Sequence, residues 1–338
     1  MLELLACPAP VTIQDLGRPG YRHLGVPLSG ALDPLALRLA NALLGNAANA
    51  AALELRLLGP QLQAKRRLRL ALALVDGRIH RADGSSEILP AWRSATLLHG
   101  DRLQVGALPT GVAYLALGGG VDVPRVLGSR STYLRAALGG VHGRALQVGD
   151  HLQLGEAAPA ASEWQVDAAP LYAPGAAIRV IPGPQAAHFT AAALAAFYSS
   201  EFRVGQDTDR MGLRLHGPAL CHSELGADIV SDAVTPGAIQ VPGDGSPIVL
   251  LADCQTVGGY AKIATVIQAD LPRLGHLQSG ATLRFAAVTQ EQALAALRQQ
   301  EAALAAALAA MVPWRGEGGI DLDALYAENL ITGVVHAE

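Results

Sequence analysis

Two groups of polar residues that could do chemistry lie far apart in this sequence, one near its start and one after residue 209. Carboxylates accept protons, guanidinium groups bind carboxylates and phosphates, and ammonium or backbone N–H groups stabilise a negatively charged oxygen. We predict a single site formed by both groups. The first group contains Gln14, Asp15, Arg18, Ser29 and Asp33, and the second contains Arg210, Gln240, Asp253, Gln255, Thr256, Gly258, Gly259, Tyr260 and Lys262.

The segment 237–266 contains most of the second group. Residues 247–252 form a continuous apolar run, which predicts a strand buried on both faces. Asp253 ends this run, and a carboxylate at that place needs a hydrogen bond or an ion pair. Its predicted partners are close in sequence: Gln255, Thr256 and Lys262.

Two glycines and a rare lysine follow in the same segment. Gly258 and Gly259 predict a tight turn in which a ligand can approach main-chain N–H groups. Lys262 comes four residues after Gly258. Lys65 is the other lysine of the chain, so a lysine at position 262 is compositionally unusual.

The acidic residues of both groups also have structural explanations. Asp33 precedes Pro34, a pair that predicts a helix N-cap and the first helical residue. Capping and a catalytic role are compatible. In the same way, two aspartates are expected to cap their own turns with arginines as ion-pair partners: Asp15 with Arg18 and Asp253 with Arg210.

Several other chemistries lack their motifs in this sequence. It has no GxxxxGK[ST] phosphate loop, no GxGxxG after a strand, no HxH or HxxxH pair and no GxSxG elbow. We therefore expect no histidine-anchored metal site. Cys254 has no histidine near it in sequence, so we expect a small buried residue. No lysine lies beside a methionine, so we expect no covalently attached biotin.

Composition limits the class of protein. The 338 residues are 51% hydrophobic and 4% aromatic, so we expect a core of Leu, Val, Ile and Ala. A net charge of −4 gives no electrostatic signature of nucleic-acid binding. Three scattered cysteines suit a reducing compartment, and neither a signal peptide nor a membrane span is apparent. We expect a soluble, cytoplasmic protein.

The remaining pattern predicts a mainly β (α+β) fold. Residues 51–155 read as short strands separated by turns, and residues 291–311 predict an Ala-rich covering helix. Residues 53–62 align without gaps on residues 211–220, which indicates two related β subdomains. We predict a first half at 1–156, a linker at 157–177, a second half at 178–289 and a C-terminal helix and tail at 290–338. A further short helix is predicted at 321–326.

Three separated motifs carry a family resemblance: VTIQDLGRPGYRHLGVPLSGALDP at 11–34, RMGLRLHGP at 210–218 and PGAIQVPGDGSPIVLLADCQTVGGYAKIATV at 236–266. They resemble the family of the 5-oxoprolinase C subunit, also called KipA, which is related to the biotin-dependent carboxyltransferase part of urea carboxylase (urea amidolyase). Small departures from the family pattern occur at Leu32, Ala261 and His276.

The resemblance implies two tandem cyclophilin-like β-barrel subdomains and two protein partners. These are the KipI-like B subunit and the A subunit of 5-oxoprolinase, which with this chain open the lactam of 5-oxo-L-proline to L-glutamate with ATP hydrolysis. Lys262 and the backbone N–H groups near Gly258 would then face the activated oxygen. Asp253 or Asp33 would accept the N–H proton, and Arg18 or Arg210 would hold the substrate carboxylate.

Two alternatives stay open at the level of sequence. One is a biotin-dependent carboxyltransferase that acts on an amide or urea nitrogen, with biotin delivered by a carrier protein. The other is a non-catalytic KipA-type partner of a KipI-like kinase inhibitor. Partner binding with turnover distinguishes the enzymes from the regulator.

Overall fold

The fold is mainly β. The computed structural model describes residues 1–157, 162–172 and 177–316. Two barrel-like bodies carry a few covering helices, which confirms the predicted fold class. No helix within these residues has the length and apolarity that a membrane crossing requires.

Residues 1–157, called the first half below, form two antiparallel sheets. Their strands are β1 Leu2–Ala6, β2 Val11–Gln14, β3 Ala52–Leu55, β4 Gln61–Ala64, β5 Leu68–Ala73, β6 Gly77–His80, β7 Ser86–Leu89, β8 Arg93–Leu97, β9 Arg102–Val105, β10 Ala113–Leu117 and β11 His151–Leu152. One sheet has the order β11-β1-β4-β9-β6-β7, and the other contains β2-β3-β10-β5-β8. Leucines from both sheets, such as Leu4 and Leu53, are fully buried between them. Large aliphatic side chains thus build this core, as the composition predicts.

Residues 177–287, called the second half below, form one large sheet and a two-stranded ribbon. Their strands are β13 Ile178–Pro182, β14 Phe202–Thr208, β15 Gly212–His216, β16 Asp228–Ala233, β17 Ala238–Gln240, β18 Ile248–Leu250, β19 Val257–Tyr260, β20 Lys262–Val266, β21 Thr282–Leu283 and β22 Phe285–Ala287. The sheet order is β21-β14-β15-β18-β17-β20-β13-β22. Strands β16 and β19 pair with each other as the ribbon.

Within the described parts of the chain, four helices cover the sheets: α1 Pro34–Ala42, α2 Ala191–Ser199, α3 Leu271–Gly275 and α4 Gln290–Ala309. Single 3-10 turns occur at Arg22–Leu24, Leu134–Ala136, Ala169–Leu171, Ala186–His188 and Gln268–Asp270. Asp33 caps α1 as predicted, with Pro34 in the first turn. Helix α4 confirms the predicted Ala-rich helix, and its Leu304 is fully buried.

The two halves share a hydrophobic core. Helix α1 of the first half contributes Leu37 and Leu39 to the cluster that also contains Phe197 and Phe285 of the second half and Leu304 of α4. Their relative placement is therefore fixed by packing, and sites can form between them.

The predicted domain boundaries remain predictions. Inside the predicted linker, the strand β12 Trp164–Gln165 pairs with β8, and the strand β23 Val312–Pro313 pairs with β12. The matched segments 53–62 and 211–220 overlap the strands β3 and β15 respectively. The helix predicted at 321–326 lies outside the described residues.

Candidate functional site

Arg210 is the centre of a buried ion-pair cluster that joins the two halves. Its Nε donates to Asp253 Oδ2 at 2.9 Å, and its Nη2 donates to Asp253 Oδ1 at 3.2 Å. Nη2 also donates to the carbonyl of Gly30 at 2.6 Å, and Nη1 donates to Glu54 Oε1. Burial alone would lower the pKa of the guanidinium, but Glu54 and Asp253 outweigh it and raise that pKa above its usual value. All three guanidinium nitrogens of Arg210 thus donate to oxygens of the protein.

The predicted partners of Asp253 are wrong. Gln255, Thr256 and Lys262 do not bind its carboxylate, because Arg210 occupies both oxygens. The alternative explanation, an ion pair with Arg210, is confirmed. Arg210 binds Asp253 although it is distant in sequence, because a planar guanidinium group can donate two parallel hydrogen bonds to the two oxygens of a carboxylate.

Glu54 is a member of this cluster that the sequence analysis missed. It lies in β3, whose residues are all buried, and Glu54 itself is 1% exposed. Its Oε2 accepts hydrogen bonds from Leu32 N at 3.0 Å and from the Tyr114 hydroxyl at 2.7 Å. A single acid inside the apolar run at 51–55 was the available signal, because such a residue requires a buried partner.

A cavity of about 320 Å³ opens beside this cluster, between the halves. Arg210 and Asp253 are the two predicted site residues that line it. The residues that line it in the first half are Pro10, Thr12, Arg56, Leu57, Gly111, Tyr133, Leu134 and Arg135. Those in the second half are Gln206, Thr208, Asp209, Arg210, Met211, Asp253, Leu277, Gln278 and Ser279. We call this space the inter-half cavity.

Arg56 is a second residue that the sequence analysis missed. It lines the inter-half cavity, and its Nη1 is buried without a hydrogen-bond partner. Burial lowers the pKa of this guanidinium. In the sequence it is one of many arginines and stands between two leucines, so no local pattern sets it apart.

Gln14, Asp15 and Arg18 pack against the segment 129–132 and do not line the inter-half cavity. Asp15 accepts from the hydroxyls of Ser129 and Ser131, both at 2.6 Å, and from two backbone N–H groups. Its predicted ion pair with Arg18 is therefore wrong, although its predicted turn-capping bond, from Gly17 N at 2.8 Å, is present.

Arg18 is fully buried, and its Nη2 donates to the Ser131 carbonyl. Burial lowers the pKa of this guanidinium, and its Nε and Nη1 have no hydrogen-bond partner. Gln14 Nε2 donates to Thr12 Oγ1 at 3.0 Å and to the Thr132 carbonyl at 3.1 Å. These contacts fix the loop after β2 to the segment 129–132.

Ser29 and Asp33 are buried and do not line the inter-half cavity. Ser29 has a left-handed backbone with a φ of 53°, and its buried Oγ has no partner. It lines a separate cavity of about 280 Å³ beside α1 and α4. Asp33 Oδ1 accepts from Leu35 N and Ala36 N, while Oδ2 accepts from the Tyr172 hydroxyl at 3.0 Å.

His276 completes the surroundings of Asp33, with its Nε2 at 2.7 Å from Asp33 Oδ2. The carboxylate is fully buried, and burial together with Asp33 raises the pKa of Tyr172 well above its usual value. Both oxygens of Asp33 are thus used in holding α1 and its neighbours. This geometry favours capping over proton transfer.

Lys262 is buried, but it does not meet Asp253. Its Nζ donates to the carboxylate of Asp232 and to the Ala233 carbonyl at 2.9 Å, both in the ribbon strand β16. Arg22, from the N-terminal loop, donates to the next carbonyl, that of Val234. Lys262 therefore binds the end of strand β16, next to the residue that Arg22 of the N-terminal loop contacts.

The predicted Gly258-Gly259 turn is wrong, because both glycines lie inside the ribbon strand β19. A Cβ on Gly258 would lie 2.5 Å from Gln240 Nε2, whereas one on Gly259 would have no neighbour closer than 3.6 Å. Gly258 thus leaves room for the Gln240 amide, and it does not form a turn.

A chain of polar contacts continues from Gln240, which is 2% exposed. Its Nε2 donates to the Tyr260 carbonyl and its Oε1 accepts from Gln255 Nε2, both at 3.3 Å. The Thr256 carbonyl accepts from Val234 N at 3.1 Å, and the Tyr260 side chain is 42% exposed. These residues build the ribbon and its attachment, and none of them lines the inter-half cavity.

The inter-half cavity offers a carboxylate acceptor at Asp253 and a guanidinium donor at Arg56. Such a pair can bind a small molecule that carries both an N–H group and an anionic group. Within the described residues, no group of three or more His, Cys, Asp or Glu side chains is arranged to hold a metal ion. The thiol of Cys254 is fully buried, and burial raises its pKa to about 11.

Comparison with known proteins identifies relatives over most of the chain. The family model "Carboxyltransferase domain, subdomain A and B" matches residues 24–287. The C subunit of 5-oxoprolinase from Escherichia coli K12 is 37% identical over 302 residues, which are 89% of this chain and 96% of that protein. The urea amidolyase of Lachancea kluyveri is 32% identical over 329 residues, which are 89% of this chain and 18% of that protein.

A solved structure shows the same fold. The urea amidolyase of K. lactis superposes with a TM-score of 0.79 at 28% identity, covering 90% of this chain. The chain spans only about a fifth of that larger protein, 20% of its length. The match to the family model and to near-complete sequences of 5-oxoprolinase C subunits confirms the resemblance seen in the motifs, so the chain belongs to the carboxyltransferase-domain family that contains these C subunits and urea amidolyase.

Proposed function

We propose that this protein is the C subunit of an ATP-dependent 5-oxoprolinase and acts with the A and B subunits of that enzyme to open 5-oxo-L-proline to L-glutamate. One observation carries the proposal: the chain matches 96% of the length of the E. coli 5-oxoprolinase C subunit at 37% identity. By contrast, it corresponds to 18% of the urea amidolyase of L. kluyveri.

The inter-half cavity is the proposed substrate site. In the reaction, the γ-phosphoryl group of ATP is transferred to the lactam oxygen and ADP leaves. Water then adds to the carbonyl carbon, and the C–N bond breaks as the nitrogen takes up a proton. A second water hydrolyses the resulting acyl phosphate to the carboxylate of glutamate and free phosphate. Asp253 accepts the hydrogen bond of the lactam N–H, which draws electron density toward the oxygen and makes it a better nucleophile toward the phosphoryl group. Arg210 holds Asp253 in place through its two hydrogen bonds.

Two roles expected from the sequence are left out of this proposal. The ammonium group of Lys262 is bound to Asp232 and Ala233, and Lys262 does not line the cavity. Asp33 is occupied by α1, Tyr172 and His276. Asp33 thus caps α1, and Lys262 holds the ribbon.

The proposed reaction requires two partner proteins and ATP. The complex contains the KipI-like B subunit and the A subunit of 5-oxoprolinase, and it uses ATP as a co-substrate. A cavity of about 320 Å³ lies at the small end of the range of about 300–1,000 Å³ found for small-molecule sites, which suits a five-membered lactam acid.

Reconstitution tests the proposal. The purified chain is mixed with its candidate A and B partners, and glutamate release from 5-oxo-L-proline is measured with and without ATP. We expect release only when all three proteins and ATP are present. Binding of the KipI-like partner without any release would favour the KipA-type regulator instead.

A carboxyltransferase is the second candidate, favoured by the family model and by the K. lactis fold match. In that case the same N–C=O chemistry applies, with biotin brought by a carrier protein. Transfer of labelled carboxylate from a carboxylated biotinyl carrier to urea, in the absence of the A and B partners, would establish it.

A further inference from the structure

Arg56 combines two properties: it lines the inter-half cavity, and its guanidinium has no ion-pair partner among the described residues. Its side chain lines the inter-half cavity, and Nη1 is excluded from solvent without a hydrogen bond. None of the hydrogen bonds or ion pairs that join described residues involves the guanidinium of Arg56. Arg210, its neighbour in the cavity wall, is in contrast bound to two carboxylates.

Two acids, Glu54 and Asp209, act electrostatically on Arg56, and each accepts hydrogen bonds from other groups. Glu54 gives one oxygen to Arg210 and the other to Leu32 N and the Tyr114 hydroxyl. Asp209 Oδ1 accepts from Met211 N at 2.7 Å, closing its own turn. Neither carboxylate has a hydrogen bond to Arg56, and Arg210 adds a like charge.

A half-buried arginine without an acceptor is unfavourable, because burial removes water that would otherwise solvate the guanidinium. An anion bound in the cavity, against the side chain of Arg56, compensates this charge. A planar guanidinium is best matched by a group with two coplanar oxygens, which is the geometry of a carboxylate. The cavity volume of about 320 Å³ limits the molecule that carries this group to a small one.

We propose that Arg56 is the anchor for the carboxylate of a small acid in the inter-half cavity and so determines that the protein selects acids over their neutral analogues. The proposal rests on the proposed function only for the identity of the acid, 5-oxo-L-proline. With its carboxylate on Arg56, such a molecule presents its N–H group within the same cavity as Asp253. The role expected from the sequence for Arg18 or Arg210 thereby passes to Arg56.

The internal repeat supplies a matched control. Arg214 occupies the position in 211–220 that aligns with Arg56 in 53–62. It is exposed, lies in β15 and does not line the inter-half cavity. Arg214→Met therefore removes the same charge from an equivalent repeat position without touching the proposed site.

Binding is measured by calorimetry on the full chain and on its complex with the A and B partners, with 5-oxo-L-proline and the neutral lactam 2-pyrrolidinone as probes. We expect wild type to bind the acid about tenfold to a hundredfold more tightly than the neutral lactam, the range of a charge-assisted hydrogen bond. Arg56→Met should lose this preference, Arg56→Lys should keep part of it, and Arg214→Met should keep all of it.

A second measurement separates this role from a structural one. Without ligand, Arg56→Met should unfold at the same urea concentration as wild type or at a higher one, because it removes an unpaired buried charge. A clearly lower midpoint would show that Arg56 holds the fold and would overturn the proposal. Equal binding of both probes by wild type, no binding of the acid, or an unchanged preference in Arg56→Met would also overturn it.

The reconstituted reaction distinguishes the two proposals. If glutamate is released and Arg56→Met leaves the KM for 5-oxo-L-proline unchanged, the proposed role of Arg56 is wrong and the proposed function stands. If no glutamate is released but Arg56→Met still abolishes the preference for the acid in the binding measurement, the proposed function is wrong and the proposed role of Arg56 stands.

Discussion

Arg210 of the second half binds Glu54 of the first half, a residue 156 positions earlier in the chain, with both side chains nearly inaccessible to solvent. The same guanidinium binds Asp253, so two buried acids depend on a single cation. Because Asp253 lines the inter-half cavity, this cluster connects the packing of the halves to the proposed site.

Replacing Arg210 should strongly destabilise the protein. Arg210→Met leaves Glu54 and Asp253 buried without their cation, and breaking a buried pair in this way costs about 3–5 kcal/mol. The free energy of unfolding in urea measures the change. Arg284→Met is the control, because Arg284 and Glu201 form an exposed pair at 3.7 Å whose loss should change stability by less than about 1 kcal/mol.

The triple variant with Arg210→Met, Glu54→Gln and Asp253→Asn tests the cause. Without the buried charges, much of the lost stability should return, because the penalty comes from unpaired carboxylates. A triple variant as unstable as Arg210→Met alone would contradict this account and point to lost packing instead.

The two aspartates expected from the sequence as proton acceptors should behave differently. Asp253→Asn should reduce glutamate release by the reconstituted complex by about 10²–10⁴-fold, the usual contribution of a general acid or base. Asp33→Asn should keep near wild-type release per folded molecule, since asparagine also caps helices well. Initial rates are normalised to the folded fraction from circular dichroism. A large loss in Asp33→Asn with normal release in Asp253→Asn would reverse the assignment.

The sequence predicted features whose causes are local and failed where the cause is distant. The Asp33-Pro34 pair predicted α1 because capping involves only the first helical turn. Of the partners offered for Asp253, the near neighbours in sequence were wrong and the distant Arg210 was confirmed, because pairing of β15 with β18 brings Arg210 to Asp253. The role of Arg56 could not be recognised from the sequence. It depends on the absence of a hydrogen-bond acceptor for Nη1, and this absence is visible only in the folded structure.

The ribbon glycines illustrate the same limit and give a further prediction. Gly258 is held against Gln240, so Gly258→Ala should overpack this contact and destabilise the protein by about 1–3 kcal/mol. Gly259→Ala is the matched control and should be neutral or slightly stabilising, because alanine restricts the unfolded chain and has room in the strand. Thermal and urea unfolding of both variants measure the difference. Equal effects of the two substitutions would disprove the steric explanation.

Lys262 should act by holding the ribbon in place. An isolated two-stranded ribbon is only marginally stable, so its contacts with the barrel matter. Lys262→Met and Asp232→Asn each remove the ion pair at the base of β16 and should both speed amide hydrogen exchange in β16 and β19, with β18 as an internal reference. If Lys262→Met abolishes glutamate release while Asp232→Asn leaves it intact, Lys262 acts on the substrate and the anchoring role is insufficient.

Cys254 should be unreactive in the folded protein. Its thiol is fully buried, and burial raises its pKa to about 11, so at pH 8 almost none of the reactive thiolate is present. Iodoacetamide should therefore label the exposed Cys221 at pH 8 and leave Cys254 unmodified until urea unfolds the chain. Labelling of Cys254 should increase as the pH rises toward 11, because the thiolate fraction then grows. Peptide mass spectrometry resolves the two sites, and Cys254→Ala should release glutamate at the wild-type rate; rapid labelling of Cys254 at pH 8 in the folded protein would contradict its burial.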